Sequence, residues 1–185
     1  MSRSRDLAAV RTQPATTTLG TSNYRAGVNA GNSIASGGNY NVTLGDEAGT
    51  AITTGDSNTA VGYQALDANT TASNNTGVGY QALTANTTGT LNTALGRSAL
   101  ASDTKGNNSV AIGYNTLNAQ NFTSATDVYN TAVGYAAGAA VTTGVQNTFI
   151  GGLAGDANTT ADDNVAVGYL ALSANTTGGN LTAVG

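Results

Sequence analysis

A single glycine returns at a fixed spacing along most of the chain, and this spacing constrains the fold more than any other feature. Its copies are Gly45, Gly62, Gly79, Gly96, Gly113, Gly134, Gly151, Gly168 and Gly185. All the gaps between them are 17 residues except the fifth, which is 21. A weaker copy of the surrounding motif ends at Gly27. A fixed short period indicates stacked units that contact only their neighbours, rather than a globular domain.

Seventeen residues are too few for a helix-turn-helix repeat or a propeller blade, but they suit one coil of a β-solenoid. The residue before each glycine is aliphatic in every copy, and the residue three before it is Thr or Val. Both would lie on one face of a strand, because alternate side chains point to opposite faces. We therefore predict an all-β fold, a parallel β-solenoid (a β-roll or β-helix) of about 17-residue coils over residues 23–185.

The residue between those two columns is usually alanine. We predict that the aliphatic and Thr/Val columns face the inside of the coil and that the alanines face outward, where small side chains allow a second chain to approach closely. The alanines predicted to pack between chains are Ala60, Ala94, Ala111, Ala132 and Ala166. Such a coil buries few apolar side chains against roughly 1–2 kcal/mol of backbone entropy per ordered residue. We therefore expect a parallel homotrimer, either intertwined or side by side.

Two further columns flank the strand. Four residues before the glycine, asparagine stands at positions 41, 58, 75, 92, 130, 147 and 164. Asparagine suits a turn, and stacked amides can also form a ladder, either structural or ligand-binding. Directly after the glycine stand Tyr63, Tyr80, Tyr114, Tyr135 and Tyr169. We interpret this column as packing between coils or chains, and keep sugar binding as the alternative.

The segment Asn108–Gly113, Asn-Ser-Val-Ala-Ile-Gly, resembles the head repeat of YadA-like trimeric adhesins, whose heads are trimeric parallel β-rolls. The fuller unit Asn58–Leu66, followed in other coils by Thr-Thr-Gly, is similar to repeats in tail-fibre and appendage proteins of phages, notably those of marine cyanobacteria. The resemblance covers about residues 41–185. It implies a trimeric fold and a virion fibre that serves adhesion to the host cell.

Residues 1–22 do not fit the repeat. This arm carries a charge of +2, whereas the rest of the chain carries −6 and the whole chain −4. We predict that it attaches the chain to a tail or capsid protein through Arg3, Arg5, Leu7, Val10 and Arg11. It lacks the apolar run and cleavage site of a signal peptide. We also expect the chain to continue past residue 185 or to be capped there, because an open coil exposes strand edges.

The long gap between Gly113 and Gly134 holds four extra residues within 118–127. We predict that they leave the coil as a loop, and that Phe122 in this loop lies against a neighbouring chain. Another column, four residues after the glycine, changes in blocks of coils: it is glycine at 31 and 49, leucine from 66 to 117, glycine at 138 and 155, and leucine at 172. We predict that the cross-section of the solenoid varies with it.

Composition argues against catalysis. The chain has no His, no Cys and a single Lys, and its adjacent carboxylates, Asp46–Glu47 and Asp162–Asp163, would point to opposite faces of a strand. We predict that the protein is not an enzyme and uses neither cofactor nor metal. The mild net charge does not indicate nucleic acid as a partner, and no segment is long and apolar enough to cross a membrane.

Three functions stay open at this point. The first, which we favour, is a structural fibre of a phage virion: a homotrimeric shaft docked by its N-terminus, with host receptors bound through distal parts. The second is the head of a bacterial trimeric autotransporter-like adhesin. The third is an ice-binding solenoid, which would require an exposed threonine array, whereas the threonines are predicted to face inward. The favoured function places the protein on the virion, as a tail or capsid appendage.

Overall fold

The computed structural model describes residues 20–185, which wind into a parallel β-solenoid of about nine coils. The strands are β1 (Tyr24–Ala26), β2 (Val42–Leu44), β3 (Thr59–Val61), β4 (Thr76–Val78), β5 (Thr93–Leu95), β6 (Gly106–Asn107), β7 (Val110–Ile112), β8 (Thr126–Asp127), β9 (Thr131–Val133), β10 (Thr148–Ile150), β11 (Val165–Val167) and β12 (Thr182–Val184). All except β6 and β8 form one ten-stranded parallel sheet. The predicted fold class is therefore confirmed.

Successive coils stack in register. In the pairing of β3 with β4, Thr59 lies opposite Thr76 and Val61 opposite Val78, and the same columns pair along the whole sheet. Equivalent residues of the sequence repeat thus stand directly above one another. Each column of the sequence becomes a continuous row of like side chains along the solenoid.

The repeated glycine forms the corner after each strand, and its role is backbone contact between coils. Gly62 has φ +125°, and a Cβ atom on it would lie 2.5 Å from the carbonyl oxygen of Gly79 in the next coil. No side chain tolerates that separation, and few tolerate that φ. The corner can therefore stack only if every coil supplies a glycine.

The alanine column faces the interior of the coil, so the prediction that it faces outward is wrong. Ala60, Ala94, Ala111, Ala132 and Ala166 have no exposed area within the single chain, and the residues on either side of them in each strand are half-buried or exposed. These alanines cannot be the surface on which other chains pack. Alternation along the strand was inferred correctly, but the side of the sheet was inverted. The buried leucines already pack against this column, since a Cβ atom on Gly77 would lie 3.2 Å from the Leu66 side chain.

The interior is filled by complementary columns. Where the fourth residue after the glycine is leucine, it is fully buried in four coils, as at Leu66, and partly buried at Leu172. Where it is glycine, a larger neighbour fills the space, since Cβ atoms on Gly49 and Gly155 would lie 2.7 Å from Ile52 and 2.5 Å from the Phe149 ring. The glycines in this column therefore match large side chains elsewhere in the interior.

The other corners are turned by non-glycine residues in the left-handed region. In one coil these are Gln64 (φ 54°), Leu66 (φ 53°) and Asn74 (φ 61°), and equivalent positions repeat in the other coils. Such a conformation costs on the order of 1–3 kcal/mol for a residue with a side chain. Full burial of a leucine is worth about 1.5–3 kcal/mol, so at Leu66 packing offsets the strain of the corner.

The asparagine column is a buried hydrogen-bond ladder. The backbone N–H of Asn75 donates to Oδ1 of Asn58 (3.0 Å), and that of Asn92 donates to Oδ1 of Asn75 (3.0 Å). Six of the seven amides also close their own coil, as Asn75 Nδ2 donates to the carbonyl oxygen of Gly89 (2.8 Å), whereas Asn164 Nδ2 has no partner among residues 20–185. The ladder is therefore structural, and its amides face the interior rather than a ligand in solvent.

The four-residue insertion forms a loop and a short second sheet. The columns resume in register, because β9 pairs directly with β7, while β8 pairs with β6 beside them. The residues of the insertion that protrude are 123–125. Phe122, however, is buried within its own chain, with its N–H donating to Asp103, so the prediction that it lies against a neighbouring chain is wrong.

The inverted facing predicts the effect of enlarging an interior alanine. We expect Ala111→Leu to lower the free energy of unfolding by about 1–3 kcal/mol or more, because the added carbons overpack a filled interior. Ile112→Leu, which changes the outward neighbour in the same strand, should have little effect. Urea denaturation followed by circular dichroism measures both, and equal stability of the two variants would contradict the facing.

The ladder predicts a large effect for a single amide. Asn75→Ala should lower the free energy of unfolding by about 2–4 kcal/mol, because the Asn92 N–H and the Gly89 carbonyl both lose buried partners. Thr71→Ala, on an exposed position of the preceding coil, serves as the matched control. Thermal denaturation of both variants is the measurement, and an Asn75→Ala variant as stable as the control would show that the ladder contributes nothing.

Candidate functional site

The outward face of the ten-stranded sheet carries apolar side chains that are exposed in the single chain. It consists of the Thr/Val column and the aliphatic column on either side of the buried alanines. Among the aliphatic side chains, Leu44, Leu95 and Ile150 are each more than two-fifths exposed. Most of the exposed large hydrophobic side chains stand in these two columns or in the tyrosine column beyond the glycine corner. Exposed apolar patches of this kind mark interaction surfaces.

The tyrosine column is an exposed stack that runs along the solenoid beside this face. The rings of Tyr63 and Tyr80 stack with centroids 5.5 Å apart, and those of Tyr114 and Tyr135 stack at the same distance. Arg97 occupies the position between the two pairs, with its guanidinium carbon 5.3 Å from the Tyr80 ring and 5.7 Å from the Tyr114 ring. Packing between coils is therefore one role of this column, and its outer edges stay accessible.

The threonines fall into two groups with different exposure. Thr59, Thr76 and Thr93 face outward on the sheet, contrary to the prediction that they face inward. On the opposite side of each coil, threonine hydroxyls join neighbouring coils, as Thr70 Oγ1 donates to the carbonyl oxygen of Thr87 (3.2 Å). The outward column is interrupted by valine at Val110 and two other positions, so its hydroxyls do not form an unbroken array.

A buried polar cluster lies where the insertion interrupts the asparagine ladder. Gln120 Nε2 donates to Asp103 Oδ2 (2.6 Å) and to Ser109 Oγ (3.1 Å), and Gln120 Oε1 accepts from Asn130 Nδ2 (2.9 Å). The carboxylate also accepts from the N–H of Gly106. Sequence reasoning missed this cluster, although the replacement of asparagine by Ser109 next to the insertion was a visible signal. Its polar atoms are bonded to one another, so it holds the insertion in place.

The adjacent carboxylates serve the backbone of neighbouring coils. Asp46 Oδ1 accepts from the N–H of Val28 (2.9 Å), and Asp162 Oδ1 accepts from the N–H of Val145 (2.8 Å). Within residues 20–185 no group of three or more His, Cys, Asp or Glu side chains is arranged to hold a metal ion.

One carboxyl group is perturbed by its surroundings. Partial burial raises the pKa of Asp67 above the usual range, a hydrogen bond from Thr50 opposes this shift, and the negative charge of Glu47 adds to it. Desolvation and a like charge both disfavour the ionised carboxylate. At neutral pH Asp67 is therefore held in a less favourable environment than in the unfolded chain.

The raised pKa of Asp67 predicts that the contribution of this residue to the free energy of unfolding falls as pH rises. A carboxyl group whose folded pKa is raised contributes most to stability while it is protonated, and this contribution is lost as pH rises above the pKa of the unfolded chain, 3.8. We expect Asp67→Asn to raise the melting temperature at pH 7 and to lose this advantage below about pH 4. In a Glu47→Gln background the gain should be smaller, and a gain independent of pH would contradict the assignment.

The predicted attachment residues Arg3, Arg5, Leu7, Val10 and Arg11 lie outside the described residues, so the structure does not bear on them. No helix within residues 20–185 is long and apolar enough to span a bilayer. The structure brings together the tyrosines that the sequence analysis singled out, and it removes the alanines from the surface.

Comparison with known proteins gives no relative: no protein-family model, no curated protein and no solved structure matches the chain. What the structure establishes is the parallel β-solenoid of about 17-residue coils with an exposed aliphatic and aromatic face.

Proposed function

We propose that this protein is a structural fibre of a phage virion, a homotrimeric shaft that serves adhesion to the host cell. The observation that carries the proposal is the exposed apolar face, which runs the length of an in-register solenoid without a partner in the single chain. A solenoid built from coils that contact only their neighbours suits an extended shaft. The phage assignment, and the virion as its location, are supported by the repeat motif that resembles those of phage appendages.

The same face supports assembly. The outward aliphatic side chains would be buried if parallel chains packed side by side, and apolar burial is worth roughly 25 cal/mol per Å². We propose that the aliphatic column, in place of the interior alanines, forms the contact between the three chains. Leu95 and Ile150 would lie in the contact, since both are outward and substantially exposed.

Attachment to the virion is assigned to residues 1–22 on sequence grounds. In a trimer the three copies of Arg3, Arg5 and Arg11 gather about nine positive charges at one end of the shaft, and arginine pairs well with carboxylates. Leu7 and Val10 would supply apolar contacts between them. The partner proposed for this arm is an acidic surface on a tail or capsid protein.

Two other functions rank below the fibre. A bacterial trimeric autotransporter-like adhesin head is the alternative that the repeat motif also supports. The outward threonines favour ice binding. An ice-binding face needs an unbroken threonine array, however, and here the Thr/Val column contains three valines among its nine positions from 42 to 182.

Assembly is tested by light scattering of the purified full chain, which should have the mass of a trimer. The double variant Leu95→Asp/Ile150→Asp should be monomeric at concentrations where the unchanged chain is trimeric, because charges would be buried in the contact. The matched control Thr88→Asp/Thr160→Asp places the same charges on the opposite side of the coils. A monomeric unchanged chain, or equal dissociation of both variants, would refute this contact.

Location is tested by immunogold electron microscopy of the native source with antibodies against the solenoid. Labelled appendages on phage particles are the expected result, whereas labelled hairs on cells would support the adhesin. Removal of residues 1–22 should leave folded rods that no longer incorporate into particles. Incorporation of the truncated rods would show that attachment lies elsewhere.

A further inference from the structure

The exposed aromatic column contains one empty position. From Tyr63 to Tyr169 the residue after each corner glycine carries a flat π-bearing side chain, aromatic or guanidinium, in every coil but one. The successive residues are Tyr63, Tyr80, Arg97, Tyr114, Tyr135, Gly152 and Tyr169. Tyr135 and Tyr169 are therefore the nearest side chains of the column on either side of a coil that contributes none. We call this space, above Gly152 and between the two rings, the Gly152 slot.

The backbone does not require glycine at this position. Gly152 lies outside the left-handed region, and a Cβ atom on it would meet only the Tyr169 ring, at 3.4 and 3.8 Å, which is ordinary contact. Every other glycine in residues 20–185 has a positive φ or would bring a Cβ atom to 3.2 Å or less from a neighbour. Gly152 is thus the one glycine in this part of the chain that local structure leaves unexplained.

The open position exposes an aromatic face. Tyr135 is 59% exposed, compared with 45% for Tyr80 and 44% for Tyr114. Tyrosines two coils apart are separated by about twice the strand spacing of 4.7–4.9 Å, which leaves room for one flat group between them. The slot therefore has the dimensions of a single stacked side chain.

The neighbouring coils show which kind of group fits such a space. Arg97 stands between Tyr80 and Tyr114, its guanidinium carbon 5.3 and 5.7 Å from the two ring centroids. A cation over a tyrosine face is attracted by the ring quadrupole, and the planar guanidinium also stacks. Tyr135, Gly152 and Tyr169 follow the same order along the column, with glycine in place of arginine.

Charge also favours a cation in this half of the solenoid. Residues 106–185 contain four aspartates, Asp127, Asp156, Asp162 and Asp163, and no Lys or Arg. Their summed field attracts positive groups and gives no advantage to a neutral sugar. We propose that the Gly152 slot binds an arginine side chain of a partner protein, stacked between Tyr135 and Tyr169. This site does not depend on the proposed fibre function, since it would be present in any use of the solenoid.

The test titrates a model peptide, acetyl-Gly-Arg-Gly-amide, into the full chain labelled with ¹³C at its tyrosine rings. The ring resonances of Tyr135 and Tyr169 should shift in a saturable manner, while those of Tyr63 should not. The same peptide with citrulline in place of arginine keeps the shape without the charge. It should bind about fivefold or more weakly, because each exposed cation–π contact is worth about 0.5–1 kcal/mol.

Two variants locate the site. Gly152→Arg should fill the slot from within the chain and abolish the response, and Tyr135→Ala should weaken binding about two- to fivefold by removing one of the two rings. Arg97→Gly should create a second slot, so that the rings of Tyr80 and Tyr114 now respond to the peptide. Thr71→Arg, on the opposite side of the coil, is the control and should leave binding unchanged.

Several outcomes would overturn the proposal. They are the absence of any tyrosine response, equal binding of the citrulline peptide, and binding that persists in both Gly152→Arg and Tyr135→Ala. A neutral oligosaccharide, cellotetraose, is titrated in parallel. If it shifts the same two rings at lower concentrations than the arginine peptide, the slot is a sugar site and the arginine assignment fails.

Discussion

Each coil must place its backbone one strand spacing from the next at every position, and the corner glycine is where this requirement is strictest. The corners of successive coils lie so close that a Cβ atom on Gly62 would meet the backbone of Gly79. The chain direction reverses into the return side at this point, with φ near +130° in coil after coil. Parallel pairing of the strands depends on this contact, because a wider corner would tilt the coils apart.

The interior meets the same requirement with polar as well as apolar groups. The hydrophobic core holds the alanines that line the sheet and the leucines packed with them, and buried asparagine closes the corner before each strand. The Asn58 amide accepts from the backbone N–H of Asn75 in the next coil and donates to the carbonyl oxygen of Ala72 in its own coil. Two backbone groups thus keep hydrogen-bond partners when they are buried. Side-chain volume is then conserved across columns, as Phe149 shows by occupying the space beside Gly138 and Gly155.

Because the small side chains are inside, the larger ones are left outside. The aliphatic residues and tyrosines form an exposed face whose stacked rings stabilise neighbouring coils while their edges contact solvent. Regular stacking makes any departure from the repeat visible as a local difference in surface chemistry. Arg97 and Gly152 are two such departures: Arg97 lies near the Tyr80 and Tyr114 rings, and Gly152 lies beside the Tyr169 ring.

The sequence by itself determined the coil length, the parallel register and the position of the insertion, because in a solenoid these follow from the spacing of Gly45 to Gly185 alone. Alternation along the strand was equally readable. Only the tertiary structure decided which side of the sheet is inside, since alternation is symmetric and the choice depends on how narrow the closed coil is. The burial of Phe122 and the cluster of Asp103, Ser109, Gln120 and Asn130 also required the structure, because these residues meet across coils rather than along the repeat.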